Sequence, residues 1–425
     1  MMRVNKIAGR LKNNKVVKNF SYLSLIHLIN LLIPLILLPY LIKVLGKDLY
    51  GLIAFIQAIV IYVGLIINFG FYTSATKSVA QNRHQPDIVS EIICSVYFIK
   101  IILCILIFFI YILVIIIIPF SRNNFWIFFF SFGYALQDLL LPTWYYQGIE
   151  QMKYITLTNL ISRISLLIFT FLLVKSQSDY LLVPIFNTMG IILGAYFSIH
   201  MMVKKSNLKI QKIPIRVLKK HFSESIPLFI SSFSISMYVN AGKIITGYFL
   251  SMGDVAIYDV IEKVTKMLRI PVTTFGQATF PQIVRKRNIN LINKYMLMCL
   301  LISVILLIGV TIFSNQIIYY FLKIYNTQAV IALLLANSSI IFVAFSYFLG
   351  TNRLIAFGYN KIFTKNILLA SSLYFLYLII LYFYRSINLM GIASALTFVE
   401  VVTMILMIFS CWKLSLLTSK KQSNE

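Results

Sequence analysis

Positive charge in this chain is gathered into two hydrophilic stretches, with six Lys or Arg between Arg3 and Lys18 and seven between Lys204 and Lys220, and long apolar runs fill most of the rest. That alternation is the strongest constraint on the fold. An apolar run of about 20 residues matches the thickness of a bilayer, and Lys and Arg collect in the loops on its cytoplasmic side. The composition agrees: of 425 residues, 60% are hydrophobic and only 12% charged, whereas a soluble domain is roughly 25% charged. The net charge of +26 therefore reads as a loop bias beside membrane spans. It does not require nucleic acid as a partner, although Lys204 to Lys220 also suits anionic lipid head groups.

About twelve candidate spans follow from the apolar runs, centred on Pro34, Tyr62, Ile105, Gly133, Leu167, Leu193, Tyr238, Met267, Leu307, Ile341, Phe375 and Val402. An even number places both termini on one side. Most of the 38 basic residues then fall in the termini and the even-numbered loops, which predicts cytoplasmic termini. The expected organisation is a basic cytoplasmic N-terminus (1–18), an N-lobe of helices 1 to 6 (19–203), a basic inter-lobe loop (204–222), a C-lobe of helices 7 to 12 (223–415) and a cytoplasmic tail (416–425). Ile33-Pro34-Leu35 recurs as Ile226-Pro227-Leu228, and Gly46 followed by Tyr50 recurs as Gly253 followed by Tyr258. With six spans in each half, such a repeat is parallel, the halves being related by a pseudo-two-fold axis. The fold class expected is therefore all-α integral membrane.

The apolar run from Phe20 to Ile42 is too long for a signal peptide and has no small-residue cleavage pattern, so it is expected to remain as the first helix. Pro34, Pro39, Pro142, Pro184, Pro227 and Pro271 mark spans as bent or hinged. Cys94, Cys104, Cys299 and Cys411 lie in or beside spans and read as small apolar residues. His27, His84, His200 and His221 are scattered without metal-ligand spacing. No phosphate-cradling glycine loop is present, and the short loops offer no separate catalytic domain. No cofactor or metal is expected, and no catalytic residue is assigned.

Ionisable groups at membrane depth are costly and face a bundle interior or a wet cavity. The eighth span carries five: Asp259, Glu262, Lys263, Lys266 and Arg269. At 100° per residue they occupy an arc of about 120°, shared with Thr273 and Gln277. Asp259 with Lys263 and Glu262 with Lys266 have the spacing of helical ion pairs. Two acids do not neutralise three bases, so Arg269 is expected to be left over and to ask for an anion. Ser236, Asn240 and Lys243 share one face of the seventh span with Gly247. Lys100 and Arg163 either reach the interior or extend their heads to the interface. Asp138 and Glu400 are expected to pair with buried bases. Together these residues suggest a cationic cavity between two lobes, suited to a ligand with a charged head and an apolar tail.

Four stretches carry a family resemblance. They are Ile33-Pro34 through Pro39-Tyr40-Leu41 to Leu45-Gly46 and Tyr50-Gly51; Phe69-Gly70-Phe71 with Ala75-Thr76-Lys77 and Ala80; Pro142, Trp144, Tyr145 and Gln147-Gly148-Ile149-Glu150 with Met152-Lys153-Tyr154; and Tyr258, Glu262-Lys263 and Phe280-Pro281. On them, along essentially its whole length, the chain resembles bacterial O-antigen and polysaccharide-unit flippases of the multidrug, oligosaccharidyl-lipid and polysaccharide exporter superfamily. The resemblance implies a V-shaped alternating-access transporter of two six-helix lobes in the bacterial inner membrane. Its substrate would be an undecaprenyl-diphosphate-linked oligosaccharide, and a polysaccharide polymerase and a chain-length regulator would be partners. On this reading Lys243, Lys263, Lys266, Arg269, Arg163 and Lys100 hold the diphosphate. Asp259, Glu262, Asp138 and Glu400 tune charge or couple to H+ or Na+, and Asn240, Ser236, Thr273 and Gln277 line the path. One departure stands out: such proteins often place an acid just before the Phe-Gly-Phe turn, where this chain has Asn68.

Two rival readings stay open. A drug or cation antiporter of the same superfamily favours uncompensated carboxylates, whereas here bases exceed acids. An integral-membrane polysaccharide polymerase would be expected to present a large extracytoplasmic loop with catalytic groups. A purely structural scaffold would not need the polar stripe of the eighth span.

Overall fold

The computed structural model describes residues 15–206 and 213–417. Most of the first basic stretch, the middle of the second and the end of the tail lie outside the described residues. Among the described residues there are helices and no strands, as a chain surrounded by lipid requires when each backbone amide must be satisfied within its own segment.

Helix α1 (Lys15–Asn68) is interrupted at Gly46, whose φ of 81° and ψ of 168° only glycine adopts readily, and so contributes two spans. Gly70, left-handed at φ 78°, turns the chain into α2 (Phe71–Asn82). Helices α3 (Pro86–Ile117), α4 (Phe125–Gly148), α5 (Met152–Leu173) and α6 (Leu182–Ser206) follow. Then come α7 (Ile215–Phe249), α8 (Met252–Lys286), α9 (Ile289–Ile312), α10 (Thr327–Ile355), α11 (Asn360–Phe383) and α12 (Leu389–Lys413).

Nine stretches of the described residues are long and apolar enough to cross a bilayer as single helices. The difference from about twelve has three physical sources. The first stretch is two spans divided at Gly46; α7 reaches the same apolarity only as the pair Ile215–Ser234 and Val239–Phe249; and α8 carries the charged ladder.

Short polar caps end the spans of the second half. The Ser251 hydroxyl accepts from the Asp254 amide while the Asp254 carboxylate returns to Ser251, a capping box that starts α8. Asn288, Asn326 and Asn388 cap α9, α10 and α12 by accepting from the amides of Leu291, Ala329 and Gly391. Helix α4 is broken instead of capped. Leu141 is extended ahead of Pro142, as a residue before proline tends to be.

The basic stretch between α6 and α7 is shorter as a loop than the expected 204–222, because α6 runs to Ser206 and α7 is already helical at Ile215. Lysines and arginines are good helix formers, and Pro214 marks where the second helix begins.

The chain forms two compact units. One holds the chain up to Leu49 together with Ile56–Phe233; the other holds Tyr50–Phe55 together with the chain from Ser234 onward. In the first unit α5 packs closely on α6. The glycines of a Gly-x-x-x-Gly pair make this approach possible: a Cβ on Gly194 would lie 2.9 Å from the Thr158 carbonyl oxygen, and one on Gly190 would strike that of Ser162. In the second unit the main packing is of α10 on α12, through buried Ala329, Ala332, Ala336, Ala393 and Ala395. Large apolar side chains point outward, among them Ile105, Phe109, Leu113 and Leu172, as a lipid-facing surface requires.

Two of the family-like stretches are one contact in the first unit. Gly148 lies against Val79, to whose side chain an added Cβ would approach within 2.7 Å, and the Thr76 hydroxyl donates to the Trp144 carbonyl at 3.1 Å. The Phe-Gly-Phe turn receives the start of α7. Phe69 stacks on Phe222 and Phe229, and the Ser74 and Ser225 hydroxyls meet at 2.7 Å.

Candidate functional site

The densest polar cluster sits inside the second unit, on α8. Its i,i+4 spacing brings Lys263 Nζ to 2.6 Å from Asp259 Oδ2 and pairs Lys266 with Glu262. Lys243 enters from α7 and joins the two acids, 2.6 Å from Asp259 Oδ1 and 3.2 Å from Glu262 Oε2. Tyr50, in the short piece of α1 that belongs to this unit, donates its hydroxyl proton to Asp259 Oδ2 at 2.5 Å and accepts from Lys263 at 2.8 Å. Gly51 allows that approach, since a Cβ there would strike the Met252 carbonyl oxygen.

Arg269 is not left over. Its NH1 lies 2.9 Å from Glu400 Oε1 on α12 and its NH2 donates to Ser339 on α10 at 2.8 Å. The expectation of an unpaired guanidinium failed because an acid about 130 residues away in sequence lies beside it in space. Arg269 Nε still has no acceptor among the described residues. Four bases and three acids (Lys243, Lys263, Lys266, Arg269; Asp259, Glu262, Glu400) leave the cluster one positive charge in excess.

Burial divides the cluster by role. Asp259 and Glu262 are 1% and 4% exposed and Lys243 is 9% exposed, so these three form an internal knot. The Lys266 side chain is 53% exposed, that of Lys263 33% and that of Arg269 25%. These three bases border open space. Lys243, assigned to the ligand from sequence, is the base that contacts both carboxylates.

The flanking polar residues are placed more loosely. Asn240 donates to the Ser236 carbonyl at 3.2 Å, and the Thr273 hydroxyl donates back to Arg269 at 3.1 Å. Gln277 is exposed and bonds Tyr347.

The first unit has a separate polar group. Lys100 is fully buried on α3 and donates to the backbone carbonyl of Asp138, on α4, at 3.0 Å. Its head stays inside the first unit. The Asp138 carboxylate accepts from the Asn68 amide at 3.1 Å. An acid from α4 thus lies beside Asn68, pressed so close to α1 that a Cβ on Gly64 would collide with it. Arg163, on α5, is half-buried and forms no ion pair among the described residues. The expected pairing of Asp138 with a buried base is therefore made through its carbonyl, and no ion pair joins Arg163 to Asp138.

Sequence reading missed Tyr50 and Ser339 as members of the cluster, and Arg353. Tyr50 was visible as part of the Tyr50-Gly51 stretch and of the internal repeat, not as a partner of Asp259. Arg353, 1% exposed on a π-helical turn of α10, donates to Asn293 on α9. All four cysteines have free thiols, and three are buried.

Residues 16–287 match the family described as polysaccharide biosynthesis protein. The chain belongs to this family. A relative from Escherichia coli (strain K12), named Putative O-antigen transporter, is 26% identical over 389 residues, covering 89% of this chain and 91% of the relative. Among solved structures, an inward-facing multidrug resistance MATE family transporter of the MOP superfamily has a TM-score of 0.68 at 11% identity, over 92% of this chain and 99% of that one. An outward-facing transporter of the same description has a TM-score of 0.62 at 13% identity, over 98% and 99%. At such identities the likeness establishes the fold. The polysaccharide family member thus has the helical architecture of these transporters.

Proposed function

We propose that this protein is a flippase that carries an undecaprenyl-diphosphate-linked oligosaccharide, the repeat unit of an O-antigen or related surface polysaccharide, from the cytoplasmic to the periplasmic leaflet of the bacterial inner membrane. Both termini are cytoplasmic on this reading, as the basic loops indicate. The observation that carries it is the arc of Lys263, Lys266 and Arg269 on α8, whose side chains stay partly exposed although each is ion-paired, in a cluster with one positive charge in excess. Family membership and the name of the Escherichia coli relative support the same substrate class.

A diphosphate cannot enter hydrocarbon without replacement of its hydration. Lysine and arginine heads supply that replacement through charge-assisted hydrogen bonds, while the polyprenyl tail remains in lipid. Lys243, Asp259 and Glu262 act beneath them as a scaffold that fixes the α8 heads in position. Alternating access then exposes the cluster to one side at a time.

The membrane potential supplies a driving force. Moving one negative charge outward across an inside-negative membrane releases about 2.3 kcal/mol per 100 mV. One to two charges at about 150 mV release roughly 3 to 7 kcal/mol by the same conversion. Coupling to H+ or Na+ is an addition to this scheme, and Asp138 suits it better than Asp259 or Glu262, each of which already contacts two lysines. Partnership with a polymerase and a chain-length regulator belongs to the same proposal.

The cation-antiporter reading has one observation in its favour, the fold shared with multidrug transporters. The surplus of bases over acids in the α8 cluster argues against it. Reconstitution decides between them. Vesicles loaded with an undecaprenyl-diphosphate oligosaccharide should gain or lose access to an external sugar-modifying enzyme when the protein is present, faster with an imposed potential and far more slowly with Lys263→Glu/Lys266→Glu. Protein-independent access, together with protein-dependent efflux of an organic cation, would replace the flippase reading with the antiporter.

A further inference from the structure

We propose that the first unit holds a second anion site, separate from the α8 cluster, which takes the phosphate of a lipid head group. A cavity of about 560 Å³ opens between the turn joining α2 to α3, the turn joining α4 to α5 and the end of α6. All three walls are helix ends, with α3 starting at Pro86, α5 starting at Met152 and α6 ending at Ser206. A site made of span ends lies at the membrane–water boundary, the depth of lipid head groups. It lies at the end of the unit where the basic stretch beginning at Lys204 leaves α6, and assigning that end to the cytoplasmic leaflet rests on the orientation proposed above.

The lining is cationic and built for an anion. Arg83 and Lys205 face the cavity with His84, and Glu150 is the one acid among the lining residues. Lys205 Nζ is held by the Gln151 side-chain oxygen at 2.5 Å and lies 4.8 Å from the centre of the Tyr154 ring; Lys153 Nζ lies 4.9 Å from the same ring. Lys205 and Lys153 thus place two ammonium groups around one ring, and Lys205 lines the cavity. Arg83 Nε donates to His84 Nε2 at 3.1 Å, which fixes the guanidinium plane. The N-termini of α3 and α5 also open here, and neither Gln85 nor Gln151 caps its helix with a side-chain hydrogen bond. Such termini add partial positive charge.

Glu150 is the internal partner of this lining. Its carboxylate lies 3.1 Å from Arg83 NH1, and its backbone is left-handed at φ 57°, a conformation that disfavours a side chain. With its side chain 56% exposed, this carboxylate holds the place of an outside anion and can swing away. A lipid phosphate takes over Arg83, and Lys205 turns from Gln151 to meet it. The Gln147-Gly148-Ile149-Glu150 stretch, set by the packing of Gly148 on Val79, thereby serves recognition as well as the turn.

The test uses purified full-length protein in phosphatidylcholine nanodiscs. Short-chain phosphatidic acid and inorganic phosphate are the probes, with native mass spectrometry and thermal shift as readouts. Phosphatidic acid should bind, Arg83→Ala/Lys205→Ala should weaken it about tenfold or more, and Glu150→Gln should tighten it several-fold. Binding undiminished in the double variant overturns the site. Inorganic phosphate binding as tightly as phosphatidic acid overturns the lipid source and leaves free phosphate as the ligand. If the double variant does not insert, Glu150→Gln decides: tighter binding supports the site, and unchanged or weaker binding overturns it. No readout depends on transport, so a failed flippase assay leaves this result standing.

Discussion

Lys243 Nζ lies 2.6 Å from Asp259 Oδ1 while Lys263 Nζ lies 2.6 Å from Asp259 Oδ2, so one carboxylate on α8 is held between lysines from two helices. Lys243 also reaches Glu262. A buried carboxylate is tolerated when it is paired, and removal of one partner leaves an uncompensated charge.

Lys243→Met leaves Asp259 only the partly exposed Lys263 and Glu262 only the exposed Lys266, so it should destabilise the protein by about 1–3 kcal/mol, read as a lower melting temperature in detergent and lower abundance in membranes. The double variant Lys243→Met/Asp259→Asn should recover part of that loss, because it removes a buried carboxylate together with its buried counter-ion, keeps Glu262 on Lys266 and leaves only the partly exposed Lys263 without an acid. Equal instability of the single and double variants would show that Lys243 contributes through packing alone.

Arg269 and Glu400 meet at 2.9 Å across α8 and α12. A double-mutant cycle with Arg269→Gln and Glu400→Gln should give a coupling of about 0.5–3 kcal/mol. Additive losses would mean that Ser339, and not Glu400, is the partner that holds the guanidinium.

Two glycines on membrane helices should respond in opposite senses. Gly51→Ala drives a Cβ into the Met252 carbonyl and separates Tyr50 from Asp259, at a cost of about 1–3 kcal/mol. Gly309 has open space around its Cβ position, so Gly309→Ala should be neutral or stabilise α9 by up to about 1 kcal/mol. Melting temperatures of the two variants in one detergent check the contrast.

Asp138 accepts from Asn68 while Lys100 takes its carbonyl rather than its carboxylate. If this acid couples transport to an ion, Asp138→Asn should keep potential-driven transport and lose its response to an imposed H+ or Na+ gradient. An unchanged gradient response in reconstituted vesicles removes Asp138 from that role, and the same assay on Asp259→Asn/Glu262→Gln examines the other candidates.

The helices and the ladder on α8 were legible in the sequence because both are local. A span is an uninterrupted apolar run, and Asp259, Glu262, Lys263 and Lys266 pair within one helix turn or so of each other. What escaped was the partnership between distant elements. Glu400 neutralises Arg269 from α12, Tyr50 joins Asp259 across 209 residues, and Asp138 supplies the carboxylate beside Asn68. Helical periodicity gives the face of each residue but not which neighbouring helix covers it. Counting charge on α8 alone therefore left Arg269 unpaired and offered Lys243 to a ligand. Gly46 shows the converse case: a single residue at φ 81° divides one long apolar helix in two, between the expected span centres Pro34 and Tyr62.

The central claim is that the protein moves a lipid-linked sugar unit past the exposed bases of α8. It is tested most directly by measuring that unit in each leaflet of cells lacking the gene, complemented by wild type or by Lys263→Glu/Lys266→Glu at equal protein level. The account predicts accumulation at the cytoplasmic face, relieved by wild type and not by the charge-reversed variant. Units that reach the periplasm equally well in the deletion strain, with no second transporter to carry them, would contradict it.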